Sequence, residues 1–359
     1  MKRWWLMASL SLVGVVLLAG AGVCLTSGCS TLGYYAQSVG GHLALVRAAK
    51  PVPEWVADEQ TSAALKERLL LSQRIRDYAI AELHEPDNAS YRHYADLHRS
   101  SAIWNVVAAP ELSLRLQTWC FPVVGCVGYR GYYDEAEAKA FAETLRAQGL
   151  EVSVYGVPAY STLGKLPFDT FADPLLNTFI GYPEGDLARL IFHELAHQIA
   201  YAKGDTVFNE SFATAVERIG GGRWLAQHAS AQAREELAQS DARRLDFRAL
   251  TTRYRDLLKT LYEGSASDAD KRADKATLMA QLRADYAVLK RERWGGFSGY
   301  DGWFARANNA SFGVLAAYNE LVPNFERLFE REGRDFDRFY AEVKRLAELP
   351  QDERRAQLP

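Results

Sequence analysis

The chain has 359 residues, 48% of them hydrophobic and 24% charged, with a formal net charge of −3. That composition excludes a disordered or collagen-like chain, and so small a charge supplies no global electrostatic reason to bind nucleic acid. Four cysteines are too few for a disulfide-dominated scaffold.

The N-terminus sets the expected compartment. Lys2 and Arg3 precede an uncharged stretch from Trp4 to Gly28 that is rich in Leu, Val and Ala, the pattern of a bacterial export signal over residues 1–28. Leu25-Thr26-Ser27-Gly28-Cys29 resembles a lipobox, with Thr26 where that pattern prefers Leu. The resemblance implies that Cys29 is lipidated and becomes the new N-terminus. The other reading is an uncleaved membrane anchor, since the apolar run is long enough to span a bilayer. Both place the remaining chain outside the cytoplasm. Ser30 rather than Asp after the cysteine implies an outer-membrane lipoprotein facing the periplasm.

Residues 29–57 read as a small-residue lead-in linker ending at Pro51 and Pro53. Apolar residues near helical spacing predict a helix over 58–85, ended by Glu85-Pro86-Asp87-Asn88. Residues 102–107 and 123–133 read as strands, 134–148 as a helix closed by Gly149, and 152–156 as a short strand. Residues 160–164 continue in extended polar form. Helices follow at 185–202 and 209–219, the second closed by Gly220-Gly221-Gly222. Residues 230–293 read as a charged helical hairpin turning at Gly264-Ser265-Ala266-Ser267, followed by helices near 303–320 and 324–347 and a tail at 350–359. The expected fold class is α+β, with a modest mixed sheet upstream and helices carrying the chemistry. In an oxidising compartment Cys120 and Cys126, which flank Pro122 and Gly125, are expected to form a disulfide; a metal or redox pair is the alternative, with no His or further Cys nearby.

His193-Glu194-Leu195-Ala196-His197 is the sharpest signal. On a helix, positions four apart lie on one face, so both imidazoles can reach one metal ion, while Glu194 can hold a water that the metal activates. Thirteen residues after His197 stands Glu210, behind a Gly204-Asp205-Thr206 turn that lets a second helix fold back. Asn209 is the expected N-cap of that helix. Two His and one Glu leave a fourth tetrahedral position for water, the arrangement of a catalytic zinc. Asp205 is a weaker rival ligand. Glu217, seven residues after Glu210 and on the same helical face, could hydrogen-bond the free nitrogen of a ligand histidine or could be a solvated charge.

The pairing of this pentapeptide with Asn209-Glu210-Ser211-Phe212-Ala213 resembles the gluzincin metallopeptidases. With Trp104-Asn105-Val106-Val107-Ala108-Ala109-Pro110-Glu111, Trp119-Cys120-Phe121-Pro122-Val123-Val124-Gly125-Cys126, Ala159-Tyr160-Ser161-Thr162-Leu163-Gly164 and Asp173-Pro174-Leu175-Leu176, it resembles the "predicted aminopeptidase" family of bacterial secreted lipoproteins. The resemblance implies a zincin-like peptidase domain over 58–349, one Zn2+ per chain, and cleavage of N-terminal residues from a peptide substrate. An endopeptidase on the same site, or a non-catalytic lipoprotein using the scaffold for binding, are the alternatives. Nothing in the sequence matches the ammonium-binding strand motif of well-known gluzincin aminopeptidases. Asp173 is the candidate ammonium partner, or else a turn residue before Pro174. Tyr160, Tyr300 and Tyr318 are the candidates for stabilising the oxyanion.

Overall fold

The structure, a computed structural model, describes residues 29–121, 125–159, 172–317 and 320–359. The expected export signal, Tyr160 with the extended stretch after it, and Tyr318 lie outside the described residues. Among the described residues no helix is long and apolar enough to cross a membrane.

Residues 29–57 are not a linker. They form helix α1 (Cys29–Ala48), strand β1 (Lys50–Pro51) and helix α2 (Val52–Ala57). The small residues permit close packing: a Cβ on Gly41 would collide with the Tyr133 ring. Gln37 donates to the carbonyl of Gly131 at 3.3 Å and accepts from the Tyr133 amide at 3.1 Å. Leu45 and Val52 join the main core.

Helix α3 (Ala63–Leu83) is capped by Ser62, whose hydroxyl accepts from the Leu65 amide. After it the expected single sheet is divided. Strand β2 (His93–Ala95) pairs antiparallel with β1 and parallel with β8 (Leu175–Leu176). The longer β3 (Ile103–Pro110) lies between β6 (Arg130–Tyr132) and β7 (Leu150–Val157), antiparallel to both, with Trp104 opposite Tyr132 and Gly156. Helix α4 (Glu135–Arg146), capped by Asp134, sets Ala138, Ala142 and Leu145 against Trp104, Val106 and Ala108. The opposite face of β3 buries Val107 and Ala109 against Ala310. Burial on both faces explains why β3 reads as an uninterrupted apolar run. Strands β4 (Trp119–Phe121) and β5 (Gly125–Val127) form a hairpin in which Cys120 and Cys126 stand opposite each other and are disulfide-bonded. Gly125, at φ +80°, abuts the backbone of Gly204, which leaves no room for a side chain.

The helical half is built on α5 (Glu184–Ala196) and α6 (Thr206–His228). Leu187, Ile191 and Phe192 of α5 and Phe208, Phe212 and Val216 of α6 are fully buried in the main core with α3, α11 (Val322–Arg331) and α12 (Phe336–Glu348). The helix expected over 324–347 is two, α11 and α12, that expected near 303–320 is also two, and the C-terminal boundaries of α5 and α6 differ from the sequence reading. α5 stops at Ala196 rather than 202, with His197 as its C-cap still in helical conformation. α6 does not stop at Gly220-Gly221-Gly222 but runs through them. A Cβ on Gly220 would meet Leu83 and Phe192, and one on Gly221 would meet Arg189; the glycines let neighbouring helices approach rather than end the helix. α7 (Ala231–Glu263) and α8 (Asp268–Glu292) make the long hairpin, whose Phe247, Tyr254, Met279 and Tyr286 form a second core with Trp294, Phe304 and Phe312. Short helices α9 (Asp301–Arg306) and α10 (Asn309–Ala317) precede α11.

The expected tail is structural as well. Helix α13 (Gln351–Gln357) carries Arg354, buried, whose guanidinium reaches Asp205 at 2.7 Å.

Candidate metal centre

His193 sits in the last turn of α5 and His197 at its C-cap, so the four-residue spacing survives and both rings face the same side. The rings meet edge to face with centroids 4.9 Å apart. The loop after His197 reverses the chain, and α6 returns antiparallel, as shown by Gly221 beside Arg189 and Gly185 beside Leu225. This return brings Glu210 to the histidines. Its Oε2 lies 3.4 Å from His193 Nε2 and 3.7 Å from His197 Nε2. One donor atom from each of the three residues falls within 4.8 Å of the others, a set that could hold a metal ion.

The local sequence explains the loop, with one correction. Asn209 is not the N-cap of α6. That role belongs to Asp205, whose Oδ1 accepts from the Phe208 amide at 3.0 Å. Asn209 is buried one turn into the helix, where its side chain takes the Ala202 amide at 2.7 Å and donates to the Ala202 carbonyl at 2.9 Å. It therefore pins the loop between the two histidines and Glu210 rather than touching a ligand. Asp205 is not a ligand either: its carboxylate is held by Arg354 and Arg355 at 2.7 and 2.9 Å.

Glu217 is placed where the two-turn spacing from Glu210 predicts. Its Oε2 lies 2.8 Å from His193 Nδ1; with a proton held there, Nε2 is the nitrogen left to face a metal beside Glu210 and His197. Burial opposes a proton on His193, yet the hydrogen bonds to Glu210 and Glu217 hold its imidazole well above the usual range. Burial pushes His197 down to about 4, against the attraction of Glu210. For Glu210, burial is outweighed by the two histidines, and its carboxyl is lowered.

Glu194, 8% exposed, lines the same cavity. Burial, with the charges of Glu210 and Asp173, pushes its carboxyl up to about 8 against the opposing pull of His193. It is the acidic group of the motif and is placed beside the donors without being one of them.

Asp173 is buried, and its carboxylate meets Gln198 Nε2 at 3.4 Å while Gln198 also contacts Asn88 and Ser90. It stands before Pro174 outside any helix or strand, and it is not among the described residues that line the cavity. Tyr300 is stacked on Phe247 in the second core at 4.5 Å, away from the three donors. The tyrosines that do approach the site were not singled out by sequence. Tyr129 and Tyr201 line the cavity, and with Tyr155 feel the charge of Glu210. Burial raises Tyr155 and Tyr201 to about 12, and raises Tyr129 further, so all three keep their protons. The Tyr155 hydroxyl is engaged by Asn105, whereas the Tyr129 hydroxyl makes no hydrogen bond among the described residues. Tyr129 follows Gly128 in the short link between β5 and β6, and no local pattern marks such a tyrosine among eighteen.

The cavity has a volume of about 1030 Å3 and runs from β3 and the β4–β5 hairpin across the donors to the middle of α7, at Asp241 to Arg248. A family model described as "Putative aminopeptidase" matches residues 33–358. No curated protein and no solved structure matches the chain.

Proposed function

The chain belongs to the aminopeptidase family whose model spans residues 33–358, and from that premise and the three converging donors we propose that it is a zinc-dependent peptidase of the zincin type. The convergence of His193, His197 and Glu210 is the observation that carries the reading. A tetrahedral ion with bonds of about 2.1 Å holds its donors about 3.4 Å apart, and Glu210 Oε2 stands 3.4 and 3.7 Å from the two imidazole nitrogens. Two imidazoles and one carboxylate are the donor set that suits zinc with a position left open. The bound ion supplies Lewis acidity, to the scissile carbonyl and to the attacking water.

The chain's own residues do the rest. Glu194 takes the proton of the attacking water and passes it to the leaving amine. Its burial and raised proton affinity suit both steps. Glu217 fixes the ring and tautomer of His193 through Nδ1. Tyr129, protonated, lining the cavity and with its hydroxyl unengaged among the described residues, donates to the oxygen on which negative charge develops. Lipidation at Cys29, the first residue of α1, anchors this domain to the outer membrane on its periplasmic side.

Incubating the zinc-loaded protein with free and N-blocked peptide libraries tests the reading. Release of single N-terminal residues from free peptides alone is the expected outcome. Cleavage of blocked peptides at internal bonds would keep the metal chemistry but make the protein an endopeptidase, and cleavage of neither would remove the enzyme.

A further inference from the structure

The cavity is larger than a metal centre requires, and its arginines lie together on α5, α6 and α7. Beyond His193 it is lined by Arg189, Arg218, Arg244 and Arg248, with Asp241 among them. Three of these guanidiniums are held by carboxylates. Arg189 Nη2 donates to Asp241 at 2.8 Å, Arg244 meets Asp186 at 2.7 Å and Asp241 at 3.2 Å, and Arg218 meets Glu326 at 3.6 Å. Arg248 lies one turn beyond Arg244 on α7, half-buried, and its guanidinium has no hydrogen bond or ion pair among the described residues. Burial and then the like charge of Arg218 press on its proton, against the attraction of Asp241.

A guanidinium in that setting is a receptor for an anion, and its planar fork matches a carboxylate. We propose that the arginine arm binds a carboxylate of the substrate, so that this peptidase prefers peptides carrying a carboxylate a few residues from the scissile bond. The inference rests on the peptidase reading above. Helix geometry sets the reach. Arg189 precedes His193 by four residues on α5, a rise of about 6 Å, and Arg218 follows Glu210 by eight on α6, a rise of about 12 Å. Extended peptide spans about 3.3 Å per residue, so the arm is about two to four residues from the metal donors. A substrate α-ammonium finds no free carboxylate in this arm, where Asp241 is engaged by Arg189 and Arg244. For an aminopeptidase the arm therefore lies on the leaving-group side. The carboxylate is then the free C-terminus of a short peptide or an acidic side chain within a longer one.

The test compares kcat/KM of the zinc-loaded full chain on one tetrapeptide with a free C-terminus, its C-terminal amide, and amides with Glu or Gln at the third position. A charged hydrogen-bonded carboxylate should raise kcat/KM by about 10- to 100-fold over its neutral counterpart. Preference for the free acid over the amide identifies the C-terminus as the source, and preference for Glu over Gln identifies the side chain. In Arg248→Gln the ratio should fall toward one, and in Arg248→Glu it should invert in favour of a Lys-containing amide, with circular dichroism confirming that both variants fold. Equal rates on all wild-type substrates would overturn the inference and leave the peptidase reading standing. Should nothing be cleaved, that reading fails on its own. Calorimetric binding of the same peptides to zinc-loaded Glu194→Gln then decides: carboxylate-dependent binding that Arg248→Gln abolishes supports the arm, and binding that ignores the carboxylate, or none, overturns it.

Discussion

Replacing Arg354 with alanine should destabilise the protein by about 3–5 kcal/mol, the range for breaking a buried ion pair from one side. The Arg354 side chain is 6% exposed and Asp205 only 3%, and they meet at 2.7 Å from opposite ends of the helical half. The same guanidinium donates to the carbonyls of Leu346 and Ala347 at 3.1 Å and of Leu349 at 2.8 Å. Truncation strands a carboxylate in the interior and takes the donor from three carbonyls. Arg355, which reaches the other Asp205 oxygen at 2.9 Å, still neutralises part of that charge, which places the loss near about 3 kcal/mol. Arg355→Ala leaves the buried partner in place and should cost about 1 kcal/mol or less. Asp205→Ala should cost at least as much as Arg354→Ala, because it strands Arg354 and also removes the N-cap of α6, itself worth about 1 kcal/mol. Urea denaturation in the presence of a chelator measures the three variants without added stability from bound metal. A loss below about 1 kcal/mol for Arg354→Ala, or one no larger than for Arg355→Ala, would refute the buried pair as the clasp on the loop between His197 and Glu210.

Glu217→Ala should weaken metal binding by about 10- to 100-fold without abolishing it, whereas Ala at His193, His197 or Glu210 should abolish stoichiometric binding; chelator competition separates the two classes, and equal losses would make Glu217 a ligand. Tyr129→Phe should lower kcat by about 10²–10³-fold with KM little changed, and Tyr155→Phe should not; steady-state kinetics with equal effects for both would remove Tyr129 from its role. Cys29→Ser should move the protein out of the outer-membrane fraction, and unchanged incorporation of labelled lipid in that variant would show that the lipobox was misread.

Much of this architecture is visible in local pattern, and the exceptions share a cause. β3 is legible because burial on both faces demands an unbroken apolar run. α4 is legible from Asp134 at its cap and Gly149, at φ +80°, beyond its end. α6 is misread at Gly220-Gly221-Gly222 because glycine costs a helix about 1 kcal/mol per residue, while the gain, contact with Leu83, Phe192 and Arg189, comes from distant sequence. α1 hides behind small residues for the same reason. At the site, helical periodicity places His193, His197, Glu210 and Glu217, since all four sit on α5, its C-cap or α6. Asp205, and not Asn209, caps α6, because a cap depends on where the turn begins, and Asp205 is held there by Arg354 and Arg355 from the end of the chain. Tyr129 and Arg248 reach the cavity only through the β5–β6 link and the packing of α7, which no local spacing encodes.

The most direct test of the account is Glu194→Gln, measured for metal content and peptide hydrolysis on the same sample. Glu194 lines the cavity but is not among the three converging donors, and glutamine is nearly isosteric. Metal should stay at about one ion per chain, while hydrolysis should fall by about 10²–10⁴-fold because an amide cannot take the water's proton. A variant that keeps its metal and cleaves as fast as wild type would contradict the mechanism.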